Sequence, residues 1–165
     1  MKKLNLLAFL FVIFVITACS DQKPKIDKAA EIIAIEDVLE AYVLANENQD
    51  FDLTEKIWAP DSDIILYGTD SDERLMGWTN IRSAVKTQFS QIEETYISVS
   101  NQFIKLNECG NTAWFAETLD YNFVYKGEAR SYEGLRFTGV MEKTNGEWKI
   151  VQAHLSLPAS VGVGK

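Results

Sequence analysis

Thr112-Ala-Trp-Phe115-Ala-Glu117-Thr-Leu119-Asp-Tyr121-Asn-Phe123-Val-Tyr125 is the stretch that decides the architecture. Its odd positions are largely apolar or aromatic, while Thr118, Asp120 and Asn122 share the other side. A period of two with one apolar side is the pleat of a half-buried β-strand. The odd face is therefore expected to look inward, which sets Glu117 and Tyr121 among rings. A carboxyl group in such surroundings loses water and its pKa rises, a condition that suits general acid or base work. The bland alternative for Glu117 is a buried acid satisfied by hydrogen bonds, or one near a solvated strand end.

The same period continues on both sides. Strands are predicted over Thr95 to Leu106, Ala129 to Lys143 and Trp148 to Leu157, separated by turns at Cys109-Gly110, Lys126-Gly127 and Asn145-Gly146. Asn-Gly is a strong hairpin signal because both residues tolerate positive φ. Upstream the spacing changes. Ile32, Ile35, Leu39 and Tyr42 form one helical stripe within Ala29 to Asn48. Asp52-Leu-Thr-Glu55 reads as a capping box for a short helix through Trp58 that Pro60 ends. Ile64 to Tyr67 is a short strand, Thr69 to Glu73 a turn, and Thr79 a cap for a third helix carrying Ile81, Val85, Phe89 and Ile92. Helices followed by a meander of long strands describe an α+β domain: a strongly curved antiparallel sheet wrapped by about three helices.

Composition agrees with one folded body. The chain has 165 residues, 47% of them hydrophobic, with 16 basic and 24 acidic side chains. An apolar share of this size excludes a wholly disordered chain, and the acidic balance argues against nucleic acid as a partner. The N-terminus differs in kind. Met1-Lys2-Lys3, an apolar run from Leu4 to Ile16 and the small residues before Cys19 have the order of a secretory signal. Residues 1–18 are expected to be a signal peptide, 19–28 a cysteine and polar tether, 29–158 the domain and 159–165 a tail.

Ile16-Thr17-Ala18-Cys19 resembles the bacterial lipoprotein box. That resemblance implies acylation of Cys19, with palmitate among the chains, and a domain held by lipid in the bacterial cell envelope; with Cys19 lipidated, Cys109 lacks a partner and no disulfide is expected. Within the domain, Trp58-Ala-Pro-Asp-Ser-Asp-Ile-Ile-Leu-Tyr-Gly-Thr69, Asp72-Glu73 with Gly77 and Ile81, Arg136-Phe-Thr138, and Asn145-Gly-Glu-Trp148-Lys-Ile-Val-Gln-Ala-His154-Leu-Ser156-Leu-Pro158 resemble the SnoaL-like branch of the nuclear transport factor 2-like superfamily. The closing Trp, His, Ser and Pro pattern is most similar to the subgroup with the calmodulin-dependent kinase II association domain. The resemblance implies a cone-shaped fold around a pocket, usually dimeric, on a scaffold that hosts both enzymes and pure assembly domains.

A ligand pocket is expected from Tyr42, Trp58, Leu66, Tyr121, Phe123, Phe137 and Leu155, with Glu117 as the one candidate catalytic residue. The segment after Tyr42 resembles that of ketosteroid isomerases. Their two acids would fall near Leu66 and Thr138, however, which are not carboxylates, so that proton transfer is not expected. Arg136, Thr138, His154 and Ser156 alternate onto the outer face as one polar cluster, and the family resemblance implies that this face is the dimer surface. With one histidine and one free thiol, no metal is expected, and no cofactor motif is present. Three functions follow: a lipid-anchored domain binding a small, largely apolar molecule, the leading reading on the anchor, the aromatic inward face and the missing acid pair; an isomerase, hydro-lyase or hydrolase using Glu117; and an assembly module without ligand.

Overall fold

A computed structural model describes residues 26–70 and 72–159. The expected signal segment, Cys19 and the expected tether as far as Lys25 lie outside these, as do residues 160–165. Helix α1 (Lys28–Glu47) and the short α2 (Phe51–Ile57) come first, then β1 (Ile65–Tyr67), β2 (Arg74–Met76) and α3 (Trp78–Phe89). The meander follows as β3 (Ile92–Leu106), β4 (Thr112–Tyr125), β5 (Glu128–Thr144) and β6 (Glu147–Ser156). The strands form one curved, unclosed sheet in the order β2-β1-β6-β5-β4-β3.

The α+β class and the three helices are as the sequence predicts. The sheet is mixed rather than purely antiparallel, because β1 lies parallel to β6 with Leu66 opposite Ala153. Trp58 bridges Ile150 in the same sense, so the segment entering β1 is laid down along β6 before the chain turns into the helical layer. Local choices also differ. Asp50, not Asp52, caps α2, its carboxylate accepting from Leu53 N at 2.9 Å. Gly77 at φ 76° precedes α3 in place of Thr79. Ile92 starts β3 instead of closing the third helix, and α1 begins at Lys28 behind the cap Asp27.

Bulges bend the long strands and re-aim side chains. Asn101 and Gln102 stand together opposite Glu117, with Asn101 at φ 54°. Glu133 and Gly134 oppose Asp120, whose carboxylate accepts from Gly134 N at 2.8 Å. In β6 a register shift at Val151 swaps the parity: Trp148 and Ile150 point inward before it, Ala153 after it. Both tight hairpins, Lys126-Gly127 and Asn145-Gly146, have positive φ at each central residue.

The sheet has two halves along its strands. The end holding the β3–β4 and β5–β6 turns, here the base, is filled: Ile35, Leu39, Ala113, Phe115, Phe137, Met141, Trp148 and Ile150 are all buried there. Gly139 makes this density possible, since an added Cβ would lie 2.4 Å from Gln152 O and 2.6 Å from the Phe115 ring. The N-terminal part of α1 is tied to the base by Glu31. Lys143 Nζ donates to its two carboxylate oxygens at 2.6 and 2.7 Å, and Trp148 Nε1 donates at 2.8 Å. These bonds, the one from Lys143 foremost, hold the Glu31 carboxyl below its usual range. Its stabilisation is thus present at neutral pH and fades as pH falls through the carboxylate range. We expect Glu31→Gln to cost about 1–3 kcal/mol at neutral pH and to make the acid limb of a denaturation-versus-pH series shallower; an unchanged limb would refute the clamp.

Candidate functional site

Toward the other end of the strands, the mouth, the inner face stops being filled. A cavity of about 1190 Å³ opens there, bounded by α1, α3, the β1–β2 turn and the ends of β4, β5 and β6. Tyr42, Trp58, Leu66, Tyr121, Phe123 and Leu155 line it, joined by Leu135 and Tyr132. Phe137 does not line the cavity. It lies one step toward the base, fully buried, stacked on Tyr42 at 4.3 Å between ring centroids and meeting Phe115 edge-on at 4.9 Å.

The polar equipment of the cavity is neutral. Gln88 Nε2 donates to the Tyr121 hydroxyl at 3.2 Å, and that hydroxyl donates to Asn46 Oδ1 at 3.2 Å. Asn46 in turn donates to the Tyr42 carbonyl at 2.8 Å. The relay ties α3, β4 and α1 together around the hollow. Burial pushes the Tyr42 phenol up, with Tyr121 and Glu117 nearby reinforcing the effect, and burial likewise raises Tyr121 against the Gln88 hydrogen bond. Both phenols stay protonated at neutral pH and offer hydrogen bonds without charge. Among the described residues that line it, the charged ones are Asp70, Glu73, Arg74 and Arg130, at the rim.

Glu117 faces inward as alternation requires and is 4% exposed, yet it does not line the cavity. It sits at the filled half, opposite Phe137 and beside the β3 bulge, where Gln102 Nε2 donates to its Oε2 at 2.8 Å. Among the described residues its Oε1 has no hydrogen-bond partner. Desolvation raises its pKa, and the Gln102 bond only partly opposes this. The native state therefore holds this proton more tightly than the unfolded chain, so its effect is that stability falls as pH rises from the ordinary carboxylate range. Glu117→Gln is expected to remove that decline and to raise stability at neutral pH by about 1–3 kcal/mol, the cost of a poorly paired buried acid. Urea titrations at mildly acidic and neutral pH measure it; a variant less stable than the parent at both would contradict the assignment.

The outer-face cluster is brought together across β5 and β6, Arg136 opposite Ser156 and Thr138 opposite His154. His154 is exposed, and Tyr67 of β1 meets its ring edge-on at 5.8 Å. Among the described residues, no three His, Cys, Asp or Glu side chains converge as a metal set. The sequence reading missed Asn46 and Gln88, and also Tyr132 and Leu135. The first two have a visible signal: Asn46 follows Ile35, Leu39 and Tyr42 on one stripe, and Gln88 follows Ile81 and Val85. A polar residue that continues an apolar stripe is a candidate for a pocket.

The SnoaL-like domain model matches residues 35–160. The chain belongs to the SnoaL-like domain family. No curated protein shows significant sequence similarity to it. Among solved structures, this SnoaL-like domain is similar to a nuclear transport factor 2-like superfamily protein from Salmonella enterica, with TM-score 0.73, 19% identity and coverage of 83% of this chain and 97% of that one. A protein from Streptomyces avermitilis provisionally named a dehydratase of the same family superposes with TM-score 0.72 at 15% identity, covering 80% and 99%. One from Xanthomonas campestris, provisionally named a calcium/calmodulin-dependent protein kinase II association domain, gives 0.63 at 23%, covering 84% and 93%. These likenesses establish the nuclear transport factor 2-like fold of the SnoaL-like domain, and its cavity is judged on its own residues.

Proposed function

We propose that this protein is a lipid-anchored SnoaL-like domain that binds a small, largely apolar molecule in the mouth-side cavity. The single observation behind this reading is the composition of the hollow: aromatic and aliphatic walls around the neutral Gln88–Tyr121–Asn46 relay, with charge confined to the rim. Such a lining favours a ligand with an apolar body and one or a few hydrogen-bonding groups. Lipidation at Cys19 supplies the anchor. Homodimerisation through the outer face is part of the proposal, with Arg136, Thr138, His154 and Ser156 beside the exposed Phe103 and Trp114.

A hydro-lyase or isomerase reading has the dehydratase-named neighbour on its side, but its candidate acid or base, Glu117, stands outside the cavity lining. The binding reading is therefore preferred. Anilinonaphthalene sulfonate, a fluorescent apolar probe, tests it directly. Saturable binding at one site per chain, undiminished in Glu117→Gln, is the expected result. Binding that is absent, or that does not saturate, would overturn the reading.

A further inference from the structure

The two ends of the domain differ in where the chain enters and where the cavity opens. Ile26, the first described residue, packs at the base: a Cβ added to Gly110 in the β3–β4 turn would lie 2.8 Å from Ile26 Cγ2. The clamp of Glu31 by Lys143 and Trp148 fixes the next turns of α1 to the same end. At the opposite end lie the β4–β5 turn and the α3–β3 junction, where Gln91 and Arg130, both exposed, belong to the cavity lining. The strands run from one to the other, so entry point and mouth are separated by the length of the sheet.

We infer that the base is the surface turned toward the bilayer and that the cavity opens away from it, exchanging its ligand with the aqueous phase. This rests on the lipid-anchor part of the proposed function. Two independent observations lead there. The first is reach. Six residues, Ser20 to Lys25, separate Cys19 from Ile26, a span of at most about 25 Å, whereas β4 alone extends about 45 Å along its curve. A tether that short, attached at the base, does not let the mouth turn down onto the leaflet that holds the anchor. The second is chemistry. The rim carries Asp70, Glu73, Arg74 and Arg130, and entering hydrocarbon would strip water from all four. The ligand accordingly arrives from water or from a soluble donor rather than by direct extraction from the membrane beneath.

The test uses the full lipidated protein in phosphatidylcholine vesicles containing a headgroup-labelled acceptor lipid. A donor dye is placed at the base on the native, exposed Cys109, or at the mouth on Glu128→Cys in a Cys109→Ser background. Glu108→Cys and Glu93→Cys in that same background serve as a second pair should either label disturb folding. Energy transfer from the base positions is expected to exceed that from the mouth positions by at least about threefold, given the separations above. Equal transfer, or more from the mouth, overturns the orientation. The mass of the Cys19 peptide from the same sample separates the two failures. Acyl chains present with mouth-side transfer refute the orientation alone; an unmodified Cys19 and protein free of vesicles refute the anchor, and the orientation with it.

Discussion

Combining Ala84→Trp on α3 with Leu155→Trp on β6 should weaken anilinonaphthalene sulfonate binding by about 10- to 100-fold, or about 1.4–2.8 kcal/mol, while leaving the fold intact. Both residues line the cavity and both are only half-buried, so the added rings enter space that is already empty. The effect comes from occupancy: an indole from each side takes up the apolar wall that a ligand would otherwise cover. Circular dichroism and thermal unfolding close to the parent, with binding lost, is the expected pair of results. Retained affinity would mean that the probe sits elsewhere, the exposed Phe103 and Trp114 of the outer face being the obvious place.

The largest loss of stability should come from Phe137→Ala, about 3–5 kcal/mol, seen as a fall in Tm of about 10 °C or more. Phe137 is fully buried, and it joins Tyr42 of α1 to Phe115 of β4 by one stacked and one edge-on contact. Truncation leaves a void where three elements meet, and the rigid base around Gly139 has little freedom to close it. Phe137→Leu, which keeps most of the volume, should lose less stability. It should also bind the probe nearly as well as the parent, because position 137 supports the cavity without lining it. A fall in affinity as large as that of the double tryptophan variant would contradict this division of the inner face.

What could be read in advance follows from the physics of each signal. Alternation in β4 told which way Phe115, Glu117 and Tyr121 face, and each is buried as expected. A period of two carries no information on position along the strand relative to hollow and filled regions, so it did not separate Glu117, in the filled half, from Tyr121, in the cavity. For the same reason alternation does not distinguish Phe137, which supports the cavity, from the residues that line it. Bulges also escape the pattern. The shift at Val151 reverses parity within β6, and nothing in the identity of that residue announces it. The parallel placement of β1 on β6 depends on a contact between distant segments, which local spacing does not encode. The cap of α2 is simpler: Asp50 and Asp52 are both good cap residues, and the chain uses the earlier one.

Glu31 and Glu117 are shifted in opposite directions, which gives an internal check. Glu31 is held ionised by donors at the base, while Glu117 is pushed toward its neutral form by burial. Acidification therefore weakens one contact and relieves the other, and the single variants should move the pH dependence of stability in opposite directions.

The central claim is that the inner face is hollow at the mouth and filled at the base. A crystal structure of the protein soaked with anilinonaphthalene sulfonate tests it most directly. The account predicts probe density against Tyr42, Tyr121, Leu135 and Leu155, with Phe137 and Glu117 untouched. Density confined to the outer face, or a mouth closed by its own side chains, would contradict it.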